Sequence, residues 1–120
     1  MAWLAPTVEI RSDGDFVGRQ YAQVTSERLL GTKAGAANLK LAVCVESAGW
    51  EGHPNPITTV MDAVALSAGN RVVMSMSGIV ELGDPGRWYR VGLCGRIPLE
   101  ETGWDWNGNG STTVLVYKTP

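Results

Sequence analysis

The chain has one histidine, His53, and one phenylalanine among its 120 residues. A lone histidine excludes a zinc centre built from histidines, and Cys44 and Cys94 are not spaced as a ligand pair. It also leaves His53 as the sole imidazole that could activate a serine or cysteine nucleophile, and nothing beyond the presence of His53 and Cys94 supports such a pair. Charge is scarce too: 18% of residues are charged, the formal net charge is −2, and no two of the ten basic residues are adjacent. Nucleic-acid binding needs clustered Lys and Arg, which this distribution lacks. No phosphate-cradling GxxxxGK[ST] or GxGxxG stands between a strand and a helix. No stretch approaches the ~20 apolar residues of a membrane span. The opening MAWLAPTVEI has neither the basic start nor the apolar length of a signal peptide. These absences predict a chain with no catalytic residues, no metal and no cofactor, made in the cytoplasm and without nucleic-acid or membrane partners.

What the chain does have is glycine, 15 residues of it, and alternation. Residues 70–99 alternate apolar and polar side chains between glycines at 78, 83, 86, 92 and 95, and short strands broken at those glycines are the expectation. Residues 39–46 form the clearest strand of the first half. Leu39, Leu41, Val43 and Val45 share one face, and Lys40, Ala42, Cys44 and Glu46 form a second that is half-buried at most. Residues 112–117 (TTVLVY) are a β-branched strand, residues 7–11 a shorter one, and residues 16–24 another with Gly18 as a bulge. Residues 57–66 are ambiguous between helix and strand, and the threonines and valines favour strand. Gly, Pro and Asn make residues 47–56 a loop, and residues 31–38 a loop or weak turn-helix. The fold class expected is mainly β: a single domain over residues 1–120, either a β-sandwich or a small β-barrel with long glycine-rich loops, with residues 1–32 as a looser arm. Both cysteines sit inside apolar runs, a setting that favours buried free thiols; a bridge requires the two strands to pair.

Three loop constellations remain. Asp105, Asn107, Asn109 and Gly110 match the opening of a calcium loop, but Val116 stands where the closing glutamate belongs, so Asn-Gly-Asn-Gly reads as a hairpin turn. Adjacent Glu100 and Glu101 would point to opposite faces of a strand and cannot flank one glycosidic bond. Five tryptophans is a high count for this length. Trp50, Trp104 and Trp106 fall in glycine-rich loops, where they can cap the ends of a β-core, meet a protein partner or stack on a sugar. Trp88 and Tyr89 fall on a strand, one ring inward and one outward.

The order Gly78-Ile79-Val80, then Arg87-Trp88-Tyr89-Arg90-Val91-Gly92, then Gly95-Arg96-Ile97-Pro98-Leu99, then Thr113-Val114-Leu115-Val116-Tyr117 resembles the small β-domains of tailed-phage virions: capsid decoration proteins, head-fibre proteins and the distal parts of tail fibres. Residues 37–43 are similar to the segment that leads such modules, so the resemblance covers roughly the last two thirds of the chain. It carries no catalytic residues. It implies a non-enzymatic structural subunit located in the virion and docked on other virion proteins of the capsid or tail, usually as a symmetric oligomer, with a homotrimer expected. The alternative is a carbohydrate-binding module or lectin that holds a cell-surface glycan with Trp50, Trp104, Asp105 and Trp106.

Overall fold

The computed structural model describes residues 2–15, 17–47, 54–83, 86–96 and 103–119. Over these the chain forms β1 Ala2–Trp3, β2 Val8–Arg11, β3 Arg19–Thr32, β4 Ala36–Ser47, β5 Asn55–Pro56, β6 Met61–Leu66, β7 Asn70–Glu81, β8 Trp88–Arg96 and β9 Gly110–Thr119, with no helix among the described residues. The strands make two antiparallel sheets. In the first, β8 lies at the centre, with β1 and β2 end to end on one side and β4 on the other; β4 in turn carries β5 and β6. In the second, β3 is flanked by β7 and β9. The fold is mainly β, as the alternation predicts.

Burial follows the period of two. Along β3, Gln20, Ala22, Val24 and Ser26 are buried while Arg19, Gln23 and Thr25 are exposed. Ala22 and Val24 meet Val43, Tyr89 and Val91 of the facing sheet, with Met76, Val80 and Val114 packed alongside. Towards the other end Leu30 meets Leu4, Leu39, Leu41, Leu93 and Trp104. Each fully buried leucine contributes roughly 1.5–3 kcal/mol, so these two clusters join the sheets into a sandwich. Trp88 is 52% exposed and Tyr89 buried, the inward–outward pair that alternation predicts.

Several expectations change. Residues 19–24 are strand, as expected, but the strand continues to Thr32, so this part of the expected looser arm is the longest strand and the middle of the second sheet, paired on both sides. Only a short turn separates β3 from β4, in place of a loop over 31–38. Residues 57–66 are strand only from Met61, and the loop over 47–56 contains the short β5. Gly78, Gly92 and Gly95 do not break strands; β7 and β8 run through them. At Gly78 and Gly95 a neighbouring segment comes too close for a side chain. A Cβ on Gly78 would lie 2.6 Å from Thr58 Cγ2, and one on Gly95 2.5 Å from both Leu4 Cδ1 and the Lys40 carbonyl oxygen.

The cysteines also depart from expectation. They are joined as a disulfide, Cys44 to Cys94, with Cα atoms 5.8 Å apart. Cys44 lies opposite Gly92 and Cys94 opposite Ala42, so both project from the same face of neighbouring strands, inside the separation a bridge needs. This is the face of β4 expected to be half-buried at most. Ala42, Cys44 and Cys94 are instead fully buried, beneath Trp3 and Val60. The first sheet is thus covered on both faces at its centre, which explains why its strands carry continuous apolar runs.

Between β1 and β2 the edge of β8 loses its strand partner. Leu4 N–H donates to the Leu93 carbonyl at 2.8 Å, and the Leu93 N–H crosses the core to the Ser26 hydroxyl at 2.9 Å. Ser26 also bonds the Thr112 hydroxyl at 2.7 Å, so one buried side chain ties β3, β8 and β9 together. Ser26→Ala leaves that amide unsatisfied and is expected to cost about 1–3 kcal/mol, read as a lower urea midpoint with an unchanged slope.

Candidate interaction surface

Residues 103–109 carry three of the four residues singled out above: Trp104, Asp105 and Trp106. The segment runs beside the end of β3. Trp106 N–H donates to the Gly31 carbonyl (3.2 Å), Gly108 N–H to the Leu29 carbonyl (2.9 Å), and Leu29 N–H to the Asn109 carbonyl (3.1 Å). It is therefore an irregular continuation of β9 along β3, and Asn-Gly-Asn-Gly is not a hairpin turn. Its polar side chains bind backbone. Asn107 accepts from Gly31 N–H at 3.1 Å and donates to the Trp104 carbonyl at 2.8 Å, while Asp105 Oδ1 accepts from Lys33 N–H at 3.0 Å. No cluster of three potential metal-ligating side chains occurs among the described residues.

The two indoles of this segment have different surroundings. Trp104 is 9% exposed in the leucine cluster, and its Nε1 donates to the Ala37 carbonyl at 3.3 Å. Trp106 is 39% exposed, with the Arg71 guanidinium 4.8 Å from its ring centroid and Arg71 Nε donating to its carbonyl at 3.1 Å. A Cβ on Gly31 would lie 2.6 Å from Arg71 Cγ, so only glycine lets Arg71 cross β3 to reach the indole. Such a cation–π contact is worth about 0.5–1 kcal/mol at an exposed site. Trp104 therefore caps the core, and of this pair Trp106 alone presents a ring to solvent. Trp50 lies outside the described residues, as do His53, Glu100 and Glu101.

A larger surface escaped the sequence reading: the outer face of the β7–β3–β9 sheet. The register places Gln23 between Ile79 and Leu115, Thr25 between Ser77 and Thr113, and Glu27 between Ser75 and Ser111. Tyr21 stacks on Tyr117 at one end, ring centroids 5.3 Å apart. Val73, Ile79 and Leu115 are 58%, 56% and 61% exposed. The polar groups between them bond one another: Thr25 to Ser77 at 3.0 Å, and Ser111 Oγ donating to Glu27 at 3.2 Å. At the tyrosine end, the hydrogen bond with Tyr21, with Coulombic help from Tyr21 and Glu81, holds the Arg19 guanidinium above its ordinary range. The signal for this face was present in Val73-x-Ser75-x-Ser77-x-Ile79, where the outward positions mix hydroxyls with large apolar side chains.

A hollow of about 320 Å³ lies between β1 and residues 108–110. Arg28 lines it and donates to the Leu4 carbonyl at 3.1 Å and the Gly108 carbonyl at 3.3 Å, joining the N-terminal segment to the start of β9. Comparison with protein-family profiles, curated proteins and solved structures finds no match to this chain.

Proposed function

We propose that the chain is a non-enzymatic structural subunit of a tailed-phage virion, docking on other virion proteins of the capsid or tail through the outer face of the β7–β3–β9 sheet. The observation that carries this reading is that face: long and set with Val73, Ile79 and Leu115, each more than half exposed. Exposed apolar side chains grouped on one surface favour a protein partner. The molecular shape supports the same role. The molecule measures 52 × 23 × 21 Å with a radius of gyration of 15.6 Å, where a compact domain of this length has ~13–14 Å. The disulfide supports it as well, since bridges persist on virion and cell surfaces and are rare in the cytosol.

The test is co-sedimentation with particles assembled without this chain. The expected result is saturable binding at a fixed number of copies per particle, weakened at least tenfold by Ile79→Lys, a change at an exposed position that leaves the thermal midpoint in place. Absence of binding to the particle would count against the role. The glycan reading keeps one favourable observation, the exposed Trp106 ring beside Arg71 and Asp105. It requires retention on a glycan surface that Trp106→Ala abolishes.

A further inference from the structure

Strand β9 closes one side of its sheet and, among the described residues, pairs only with β3. Long exposed edges are normally blunted by proline, bulges or inward-pointing charges, because an open row of N–H and C=O groups templates another strand. Of these devices β9 carries only a charge at its far end, Lys118, on the inward side opposite Gln20. Its ten residues follow β3 without a register shift from Arg19–Thr119 to Arg28–Gly110. Residues 112–117 are β-branched or apolar throughout, without Pro or Gly, which is the composition of self-associating strands. Leu115 and Val116 point to opposite faces, yet they are 61% and 40% exposed. The one charge on the strand, Lys118, is already paired with Asp13 at 2.7 Å.

We propose that β9 pairs antiparallel with β9 of a second copy of this chain about a two-fold axis at Leu115, giving a continuous six-stranded sheet. The occupant follows from the sequence of the edge. Keeping the outer faces of both copies on one side requires partner residues of like parity. Centring on Leu115 sets Val114 against Val116, Thr113 against Tyr117, and Lys118 against Thr112. Every apolar residue from 114 to 116 meets an apolar residue, β-branched meets aromatic, and no like charges face each other, all favourable cross-strand pairs. With its single charge neutralised within the chain, the edge offers no counter-charge to an acidic or basic peptide. A self-complementary edge gives an isologous dimer, in place of the trimer that the phage resemblance implies. The inference deepens the proposed structural role by naming how copies join, but its failure and the failure of particle docking are read by different experiments.

Light scattering coupled to size exclusion, at tens of micromolar protein, provides the first test. The expected mass is twice the 12.9 kDa of the chain, falling to the monomer value in Leu115→Lys, which sets two ammonium groups at the axis. Val73→Lys, equally exposed on the same face but on β7, should leave the dimer intact. A second variant does not depend on how Leu115→Lys folds. Leu115→Cys faces its own copy, with Cα atoms ~4.5–5.5 Å apart across the pair, and should give a covalent dimer on mild oxidation, whereas Val73→Cys should not. A monomeric wild type, an oligomer indifferent to Leu115→Lys, a trimer, or equal cross-linking of both cysteine variants would each overturn the proposal. Dimerisation without particle binding would retain this interface and remove the docking role.

Discussion

Replacing Cys44 and Cys94 together by alanine is expected to lower the unfolding free energy by about 4 kcal/mol, the chain-entropy value for a cross-link whose ends are 50 residues apart. Domains of this size hold roughly 5–15 kcal/mol in total, so the variant keeps only part of its stability. At ~3–5 °C per kcal/mol for a chain of this length, the midpoint should fall by ~10–20 °C. The cost arises mainly in the unfolded ensemble, where β4 and β8 would no longer be tethered. In the folded state both sulfur atoms are buried beneath Trp3 and Val60. The check is thermal unfolding with and without a thiol reductant. The wild type should lose stability on reduction, and the double variant should not respond. Equal midpoints for wild type and variant would mean that the bridge contributes nothing.

Trp104→Ala carries the second large effect. The indole fills the end of the leucine cluster, and removing a buried tryptophan typically costs about 3–5 kcal/mol, because the cavity collapses only partly. The Ala37 carbonyl loses its donor as well, and the segment that seats Asp105, Trp106 and Asn107 on β3 loses its anchor. Trp106→Ala, which gives up an exposed ring and one cation–π contact, should cost about 1 kcal/mol or less. Denaturant titration of both variants separates them. A lectin that used Trp104 as a sugar platform would show the opposite pattern, with lost glycan retention on an intact fold.

Most of the architecture was legible because strand faces report burial directly. The pattern Leu39-x-Leu41-x-Val43 marked the core side of β4, TTVLVY marked β9, and Trp88-Tyr89 gave one ring to each side. The pattern failed where burial was two-sided or where glycine served packing. LAVCVES and VGLCGRI are continuous apolar runs because Trp3 and Val60 cover the outer face of the first sheet. Composition places a cysteine in such a run but not the facing strand, so the bridge depended on the pairing of Cys94 with Ala42 and Cys44 with Gly92. Gly78 and Gly95 looked like breaks and proved to be close approaches. Residues 25–32 looked loose because Thr25, Ser26, Glu27 and Arg28 interrupt the apolar pattern, yet Ser26 is buried as the junction between sheets. The candidate surface was hidden for a related reason. Val73 and Ile79 lie on β7 and Leu115 on β9, and Ile79 and Leu115 become neighbours only once β3 aligns both with Gln23.

The most direct test of the account is backbone hydrogen–deuterium exchange, compared between the free protein and the protein bound to its particle. Docking through the outer sheet face predicts added protection over residues 71–81 and 111–119, with exchange at residues 105–107 unchanged. Protection confined to residues 103–109, or none in either strand, would contradict it and place the functional surface elsewhere on the molecule.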